Sequence, residues 1–342
     1  MKYNNLELQH SYLLSGSFTL ALRLVVGWTY FSAFWRRLVL ENKLIEDEAG
    51  YIGEKFNHFL PNALGIKPMI EYLVSNPDTL WWAMIIFTLI EAIVGLFIML
   101  GLFTRLMSVG VLALATGILL GSGWLGTTCL DEWQIGILGM AIGFTIFFTG
   151  GGQYSLDYYL QKKVPFDRFK YSSWFMSGVL PVGDKLVKKI VIAGTVVIFL
   201  MTLFTNQYFH NGIWGKLHNK SVKPMVEISD AKLDDNKLSF TVFRVEGADV
   251  YGSFLIGIQL KDQEGNVIVD KDGKSLSQFS RSDIDNYYVA KVVPGKHSLV
   301  IPLGSKASLT VNDENLQNLP KGIYDLTLTD ISGITWTQSI HY

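Results

Sequence analysis

The sequence predicts a multi-pass α-helical membrane protein: a four-helix transmembrane bundle, a fifth anchor helix and a C-terminal immunoglobulin-like β-sandwich. Three observations predict it. Of 342 residues, 49% are hydrophobic and only 17% charged, with a mean hydropathy of +0.27; a soluble domain carries about a quarter charged residues. Long apolar runs recur up to Phe209, several reaching the ~20 residues that a bilayer core demands of a helix. Beyond His210 the texture switches to short β-branched and aromatic segments separated by Asp-Gly, Glu-Gly, Pro-Gly and Ser-Gly pairs, the pattern of strands and turns. The net charge of -1 gives no electrostatic reason to expect a nucleic-acid partner. A single cysteine, Cys129, excludes an intramolecular disulfide, c-type haem attachment, and zinc or iron–sulfur clusters held by this chain's thiolates.

The elements follow in order. Ser11 to Trp35 carries one charge, Arg23, and Thr79 to Thr104 carries one, Glu91; Leu106–Leu130, Trp133–Leu156 and Ile190–Phe209 carry none. Five spans are expected: Phe18–Val39, Leu80–Leu102, Leu106–Gly123, Trp133–Gly150 and Ile190–Tyr208. The first is expected to be retained, because Arg23 interrupts its apolar stretch, unlike a cleaved signal peptide. Between spans four and five lie Lys162, Lys163, Arg168, Lys170, Lys185, Lys188 and Lys189, and positive charge marks cytoplasmic segments. The amino terminus is therefore expected in the cytoplasm and the chain in the inner (cytoplasmic) membrane. Leu40–Thr79, Gly123–Glu132 and everything after span five then face outward. The expected organisation is a four-helix domain at 1–160, a basic linker at 161–189, the fifth span at 190–210 and the extracytoplasmic sandwich at 211–342. Strands are expected at Leu238–Val245, Val250–Leu260, Tyr287–Val293, Ser298–Leu303, Tyr324–Leu328 and Ile334–Ile340, among about seven or eight in all.

Several side chains stand out against this background. Cys129 precedes span four in Gly126-Thr127-Thr128-Cys129-Leu130-Asp131-Glu132-Trp133. A helix amino terminus favours a thiolate, although a lone cysteine also serves as a small apolar residue. Asp131 and Glu132 can cap the helix, relay protons, or both. Arg23 and Glu91 lie within apolar spans, where charges pair or line polar cavities; a structural ion pair between them and a part in proton delivery both remain open. Arg36 and Arg37 sit at the outer end of span one, either as snorkelling anchors or as a cationic site. His58 shares that outer compartment. Arg105 is expected as an interfacial anchor. Gly121-Ser122-Gly123-Trp124-Leu125-Gly126 matches a dinucleotide fingerprint by letter only, because it ends a transmembrane span and no βαβ unit surrounds it.

The membrane half resembles the DoxX/DoxD superfamily. The matching pieces are Leu22-Arg23-Leu24-Val25-Val26-Gly27, Glu91 with Gly95, Gly101-Leu102-Phe103-Thr104-Arg105, and Gly150-Gly151-Gly152-Gln153-Tyr154-Ser155-Leu156-Asp157. Asn57-His58-Phe59-Leu60-Pro61 and Cys129-Leu130-Asp131-Glu132-Trp133 are similar to the DoxD branch, and the anchor helix with its β domain resembles DoxA. The whole resembles a fused DoxD–DoxA thiosulfate:quinone oxidoreductase. That resemblance implies oxidation of two thiosulfates to tetrathionate with reduction of a membrane quinone, the electron-accepting co-substrate. Taken with the residue readings above, that reaction makes Cys129, Asp131, Glu132 and Glu91 the expected catalytic residues, Arg36, Arg37, His58 and Arg23 the expected substrate-binding residues, and Trp133 the expected quinone contact. No metal, flavin or haem is expected in the chain. The expected partners are thiosulfate, quinone and the lipid bilayer, with a homodimer left open. An accessory subunit of a respiratory oxidase and a sulfur-anion transporter are the competing readings.

Overall fold

The apolar runs of the first half become helices, because only an internally hydrogen-bonded helix satisfies its main chain in lipid. The computed structural model describes residues 5–46, 48, 50–126, 131–163, 172–234, 236–248 and 253–342. In chain order the helices are α1 (Asn5–Phe18), α2 (Leu20–Phe34), α3 (Gly53–Phe59), α4 (Lys67–Val74), α5 (Pro77–Leu100) and α6 (Thr104–Ser122). They continue with α7 (Asp131–Thr149), α8 (Leu156–Lys163), α9 (Ser172–Phe175) and α10 (Asp184–His210). Among the described residues α5, α6, α7 and α10 are long and apolar enough to cross a membrane. A fifth candidate is a bent pair, Leu6–Phe18 with Leu20–Leu40, at 51°. The bend falls at Thr19, whose hydroxyl bonds back to the Ser15 and Gly16 carbonyls, a local competition that deflects helices. Past Phe34, α2 runs on as a π-helical turn, Trp35–Leu40.

Two compact units divide the chain. The first comprises Met1–Ala49, Trp82–Gly123 and Leu130–His218. Its apolar core includes Val26, Tyr30, Val94, Ile98, Val111, Leu114 and Ile146. Helices α2 and α5 meet backbone to backbone: a Cβ at Gly95 would lie 2.5 Å from the Phe31 nitrogen and 2.6 Å from the Gly27 carbonyl oxygen. Small residues at such a crossing let membrane helices approach closely.

At the Gly101 end of this unit, Asp157 ties three segments together. It accepts from the Phe103 N–H (2.7 Å), the Thr104 N–H and hydroxyl (3.0 and 2.7 Å), and the Ser177 N–H and hydroxyl (both 2.9 Å). It thus caps α6 from across the chain. Arg105 is no interfacial anchor. Fully buried, it donates to the carbonyls of Phe147, Ser173, Met176 and Gly178, so its positive end is consumed by main-chain oxygens and never reaches the interface.

The second unit comprises Gly50–Trp81, Trp124–Cys129 and Asn219–Tyr342. Its strands are β1 (Met225–Asp234), β2 (Lys237–Glu246), β3 (Ser253–Lys261), β4 (Val267–Asp272), β5 (Ile284–Asn286), β6 (Val293–Pro294), β7 (Leu299–Ile301), β8 (Lys306–Asn312), β9 (Ile323–Asp330) and β10 (Thr335–His341). One antiparallel sheet runs β1-β2-β8-β5 and the other β10-β9-β3-β7-β6, with β4 also on β3. Alternate residues from both, among them Leu238, Phe240, Val242, Leu255, Leu260, Leu309, Leu326 and Leu328, form one sandwich core.

The expected strand at Tyr287–Val293 does not form; only its last residue enters β6. Helices α3 and α4 take its hydrogen-bonding groups instead. The Val289 N–H donates to the Val74 carbonyl (3.2 Å), the Ala290 N–H to Asn57 Oδ1 (3.1 Å), and the Tyr288 hydroxyl to Glu71 Oε1 (2.8 Å). Asn57 Nδ2 in turn donates to the Gly304 carbonyl (3.0 Å). Asn62 bridges the Val245 carbonyl and the Lys220 ammonium, and the Trp124 indole N–H donates to the Phe59 carbonyl. Burial and the bond to Glu71 push the Tyr288 hydroxyl above its ordinary range.

Candidate functional site

Within the helical unit, the π-helical turn Trp35–Leu40 is a local departure from α geometry of the kind that clusters at functional sites. It delivers Arg37 to α5, where its Nη1 forms an ion pair with Glu91 Oε2. Phe87, one turn before Glu91, lies under the guanidinium with its ring centre 5.9 Å from Arg37 Cζ. The two partners differ in exposure: the Arg37 side chain is 20% exposed and that of Glu91 4%. Tyr30 and Arg36 lie within electrostatic range of the carboxylate. Tyr30 is 3% exposed, and its hydroxyl faces Gly139 of α7, where a Cβ would lie 3.2 Å from it. Thr88 completes the buried layer. The arrangement brings a guanidinium, a shielded carboxylate and a phenol within electrostatic range of one another.

The ion pair between Arg23 and Glu91, one of the two readings left open by the sequence, is not formed. Arg23 donates instead to the carbonyls of Gly151 and Tyr154, and its Nη1 would stand 2.8 Å from a Cβ at Gly101. Glu91 and Gly101 are ten residues apart along α5 and its end, about 15 Å at helical rise, too far for a side-chain pair. Arg36 turns back along its own helix, with Nε donating to the Ser32 carbonyl at 3.3 Å.

The other expected site residues are distributed as follows. His58 is buried on α3 in the second unit, beside Asn57. Glu132 opens α7, half-buried. The Trp133 indole N–H donates to the Thr205 hydroxyl of α10 at 2.9 Å. Cys129 and the side chain of Asp131 lie outside the described residues. Sequence reasoning passed over Tyr30, Phe87, Thr88, Asp157 and His210, the last buried with Nε2 3.0 Å from the Gly123 carbonyl. Spacing could have found two of them, since Phe87 and Thr88 precede Glu91 by four and three residues and so share its helical face.

Residues 18–182 match the family model described as TQO small subunit DoxD, and residues 209–339 the one described as TQO small subunit DoxA. The chain belongs to both families, fused in one polypeptide. DoxD and DoxA are subunit families of thiosulfate:quinone oxidoreductase, so this DoxD–DoxA chain is an oxidoreductase of the membrane with quinone as acceptor. The DoxD range extends to residue 182 and so includes Ser173, Met176, Ser177 and Gly178, which are bound by Arg105 and Asp157. Helix α10 lies almost wholly between the two matched ranges. Among the described residues no group of three or more His, Cys, Asp or Glu side chains is placed to hold a metal ion.

Proposed function

We propose that this DoxD–DoxA chain oxidises thiosulfate to tetrathionate and passes the electron pair to a quinone of the cytoplasmic membrane. The observation that carries the reading is the presence of both TQO subunit families in one chain. Two thiosulfates lose two electrons and join through a sulfur–sulfur bond, while the quinone gains those electrons and two protons. Arg37, with Arg36 nearby, is the cationic element for the dianion, because guanidinium groups bind oxyanions through paired donors. His58 is a secondary binding residue in this scheme, whereas Arg23, spent on the Gly151 and Tyr154 carbonyls, takes no part in it. Trp133 contributes to the quinone pocket, and Asp131, Glu132 and Glu91 handle protons.

The Cys129 thiolate joins the substrate's sulfane sulfur as the quinone takes two electrons, leaving a cysteine S-thiosulfonate. A second thiosulfate attacks the sulfur distal to Cys129, releasing tetrathionate and restoring the thiolate, an ordinary thiol–disulfide exchange. The amino terminus and basic linker are cytoplasmic in this reading, with the β domain outside. It draws support from the second unit, which gathers Gly50–Trp81, the described residues 124–126 and the region after Asn219, three segments that the expected topology puts in one compartment. The test is thiosulfate-dependent reduction of a quinone analogue by the purified chain, with intact mass after one turnover. A Cys129→Ala chain is expected to lose at least a hundredfold in rate, on the order of 3 kcal/mol of barrier. Full activity of that variant removes the covalent step, and no quinone reduction by the unaltered chain removes the function.

A further inference from the structure

The Arg37–Glu91 pair is lopsided. Only Nη1 of Arg37 is spent on Glu91. Among the described residues no group accepts from its Nε or Nη2, the edge with which a guanidinium forks onto an oxyanion. The carboxylate, by contrast, is nearly buried, its side chain at 4% exposure against 20% for Arg37. In the resting pair the guanidinium is therefore the more open partner, and the carboxylate is opened to water only as Arg37 turns away.

Resting on the thiosulfate:quinone reading, we propose that the anionic substrate and Glu91 compete for Arg37, so that arrival of thiosulfate frees Glu91 to carry a proton to the quinone. Thiosulfate brings two negative charges and several oxygens to the open Nε–Nη2 edge, and the guanidinium, neutralised from that side, loosens its single Nη1 bond to Glu91. As Arg37 turns to the dianion, the nearly buried Glu91 carboxylate is left without its counter-ion. A charge so placed is neutralised by taking up a proton. Glu91 takes that proton from water on Oε2 and passes it to a carbonyl oxygen of the quinone as the electron pair from thiosulfate arrives. The second proton of the quinol comes from solvent. Departure of tetrathionate returns Arg37 to the Glu91 carboxylate and resets the pair. Tyr30 and Arg36, the other titratable groups within range of Glu91, set the field in which it changes charge. Electron transfer without a bound dianion is thereby denied its proton.

The full chain in lipid nanodiscs tests this with thiosulfate and a soluble quinone analogue, reading kcat and KM separately, and with thiosulfate calorimetry on quinone-free protein. Glu91→Gln keeps the shape of the side chain and removes its charge. It is expected to tighten thiosulfate binding and lower KM about tenfold, the difference between a charge-assisted and a neutral hydrogen bond, while kcat falls at least tenfold. Glu91→Asp, which withdraws the carboxylate by one methylene, is expected to shift both in the same directions by less, and serves if Glu91→Gln does not accumulate. Unchanged or weakened thiosulfate binding in both variants overturns the competition, and an unchanged kcat overturns the proton transfer. A wild-type chain that binds thiosulfate but reduces no quinone defeats the functional reading, while calorimetry still decides whether Glu91 competes for Arg37.

Discussion

Asp157 concentrates five donors on one carboxylate, three of them main-chain N–H groups of Phe103, Thr104 and Ser177. Asp157→Ala leaves those three donors buried without an acceptor, at about 1–3 kcal/mol each. The variant is expected to lose roughly 3–9 kcal/mol and to fail a thermal ramp of the detergent-solubilised chain at temperatures the parent survives. Asp157→Asn, which keeps one acceptor oxygen, is expected to lose less; equal melting of Asp157→Ala and parent would contradict the capping role. The cations of the apolar spans were legible in the sequence, but their partners were not. Arg23 and Arg105 are satisfied by main-chain carbonyls, which leave no complementary letter to find. Arg37 reaches Glu91 through a π-helical turn, and no side-chain periodicity announces one. Cys129 was legible as a residue and as a neighbour of Asp131, and its geometry is beyond what a sequence position can give.

At the scale of elements, the apolar runs predicted the long helices, and the β-rich texture predicted β2, β3, β7, β9 and β10 within a few residues but not β1, β4, β5, β6 or β8. The failure at Tyr287–Val293 is instructive. Its Tyr-Tyr-Val-Ala-Lys-Val-Val composition favours a strand, yet its backbone is held by α3 and α4, more than two hundred residues away along the chain. Local propensity yields there to a tertiary competitor for the same N–H groups. Asn57 is the centre of that exchange, with both ends of its carboxamide engaged on Ala290 and Gly304. Asn57→Ala orphans one buried N–H and one buried carbonyl, for about 2–4 kcal/mol. Hydrogen exchange should show faster exchange at Val289, Ala290 and α3, while amides of β3 and β9 keep their protection. Protection unchanged at Ala290 would show that the carboxamide is dispensable. Gly304 carries the same constraint from the other side: at φ +73°, with a Cβ that would overlap the Asn57 carbonyl, it admits no larger residue.

For the whole molecule, composition and hydropathy indicated a membrane half and a β half, and the two family matches cover residues 18–182 and 209–339. What they did not indicate is that Gly50–Trp81, written between two membrane spans, belongs with the sandwich, because a loop's destination depends on distant acceptors. The proposed sidedness makes a direct prediction. In a Cys129→Ser background, single cysteines placed at Lys162 or Lys185 should resist a membrane-impermeant thiol reagent in intact cells, whereas those at Glu227 or Lys261 should be labelled. Labelling of the first pair without the second inverts the map.

The Asn57–Gly304 bond spans 247 residues of sequence, and this distance becomes a delay during synthesis. At ribosomal speeds of ~5–20 residues per second, Asn57 is made roughly 12–50 s before Gly304 exists. Throughout that interval α3 and α4 have left the ribosome without the surface that satisfies them, while four membrane spans and most of a sandwich are still to come. The second unit is therefore assembled last and from both ends of the message. Premature termination anywhere before Gly304 strands the early segment with its partner missing, which makes it a natural point at which quality control can recognise an unfinished chain.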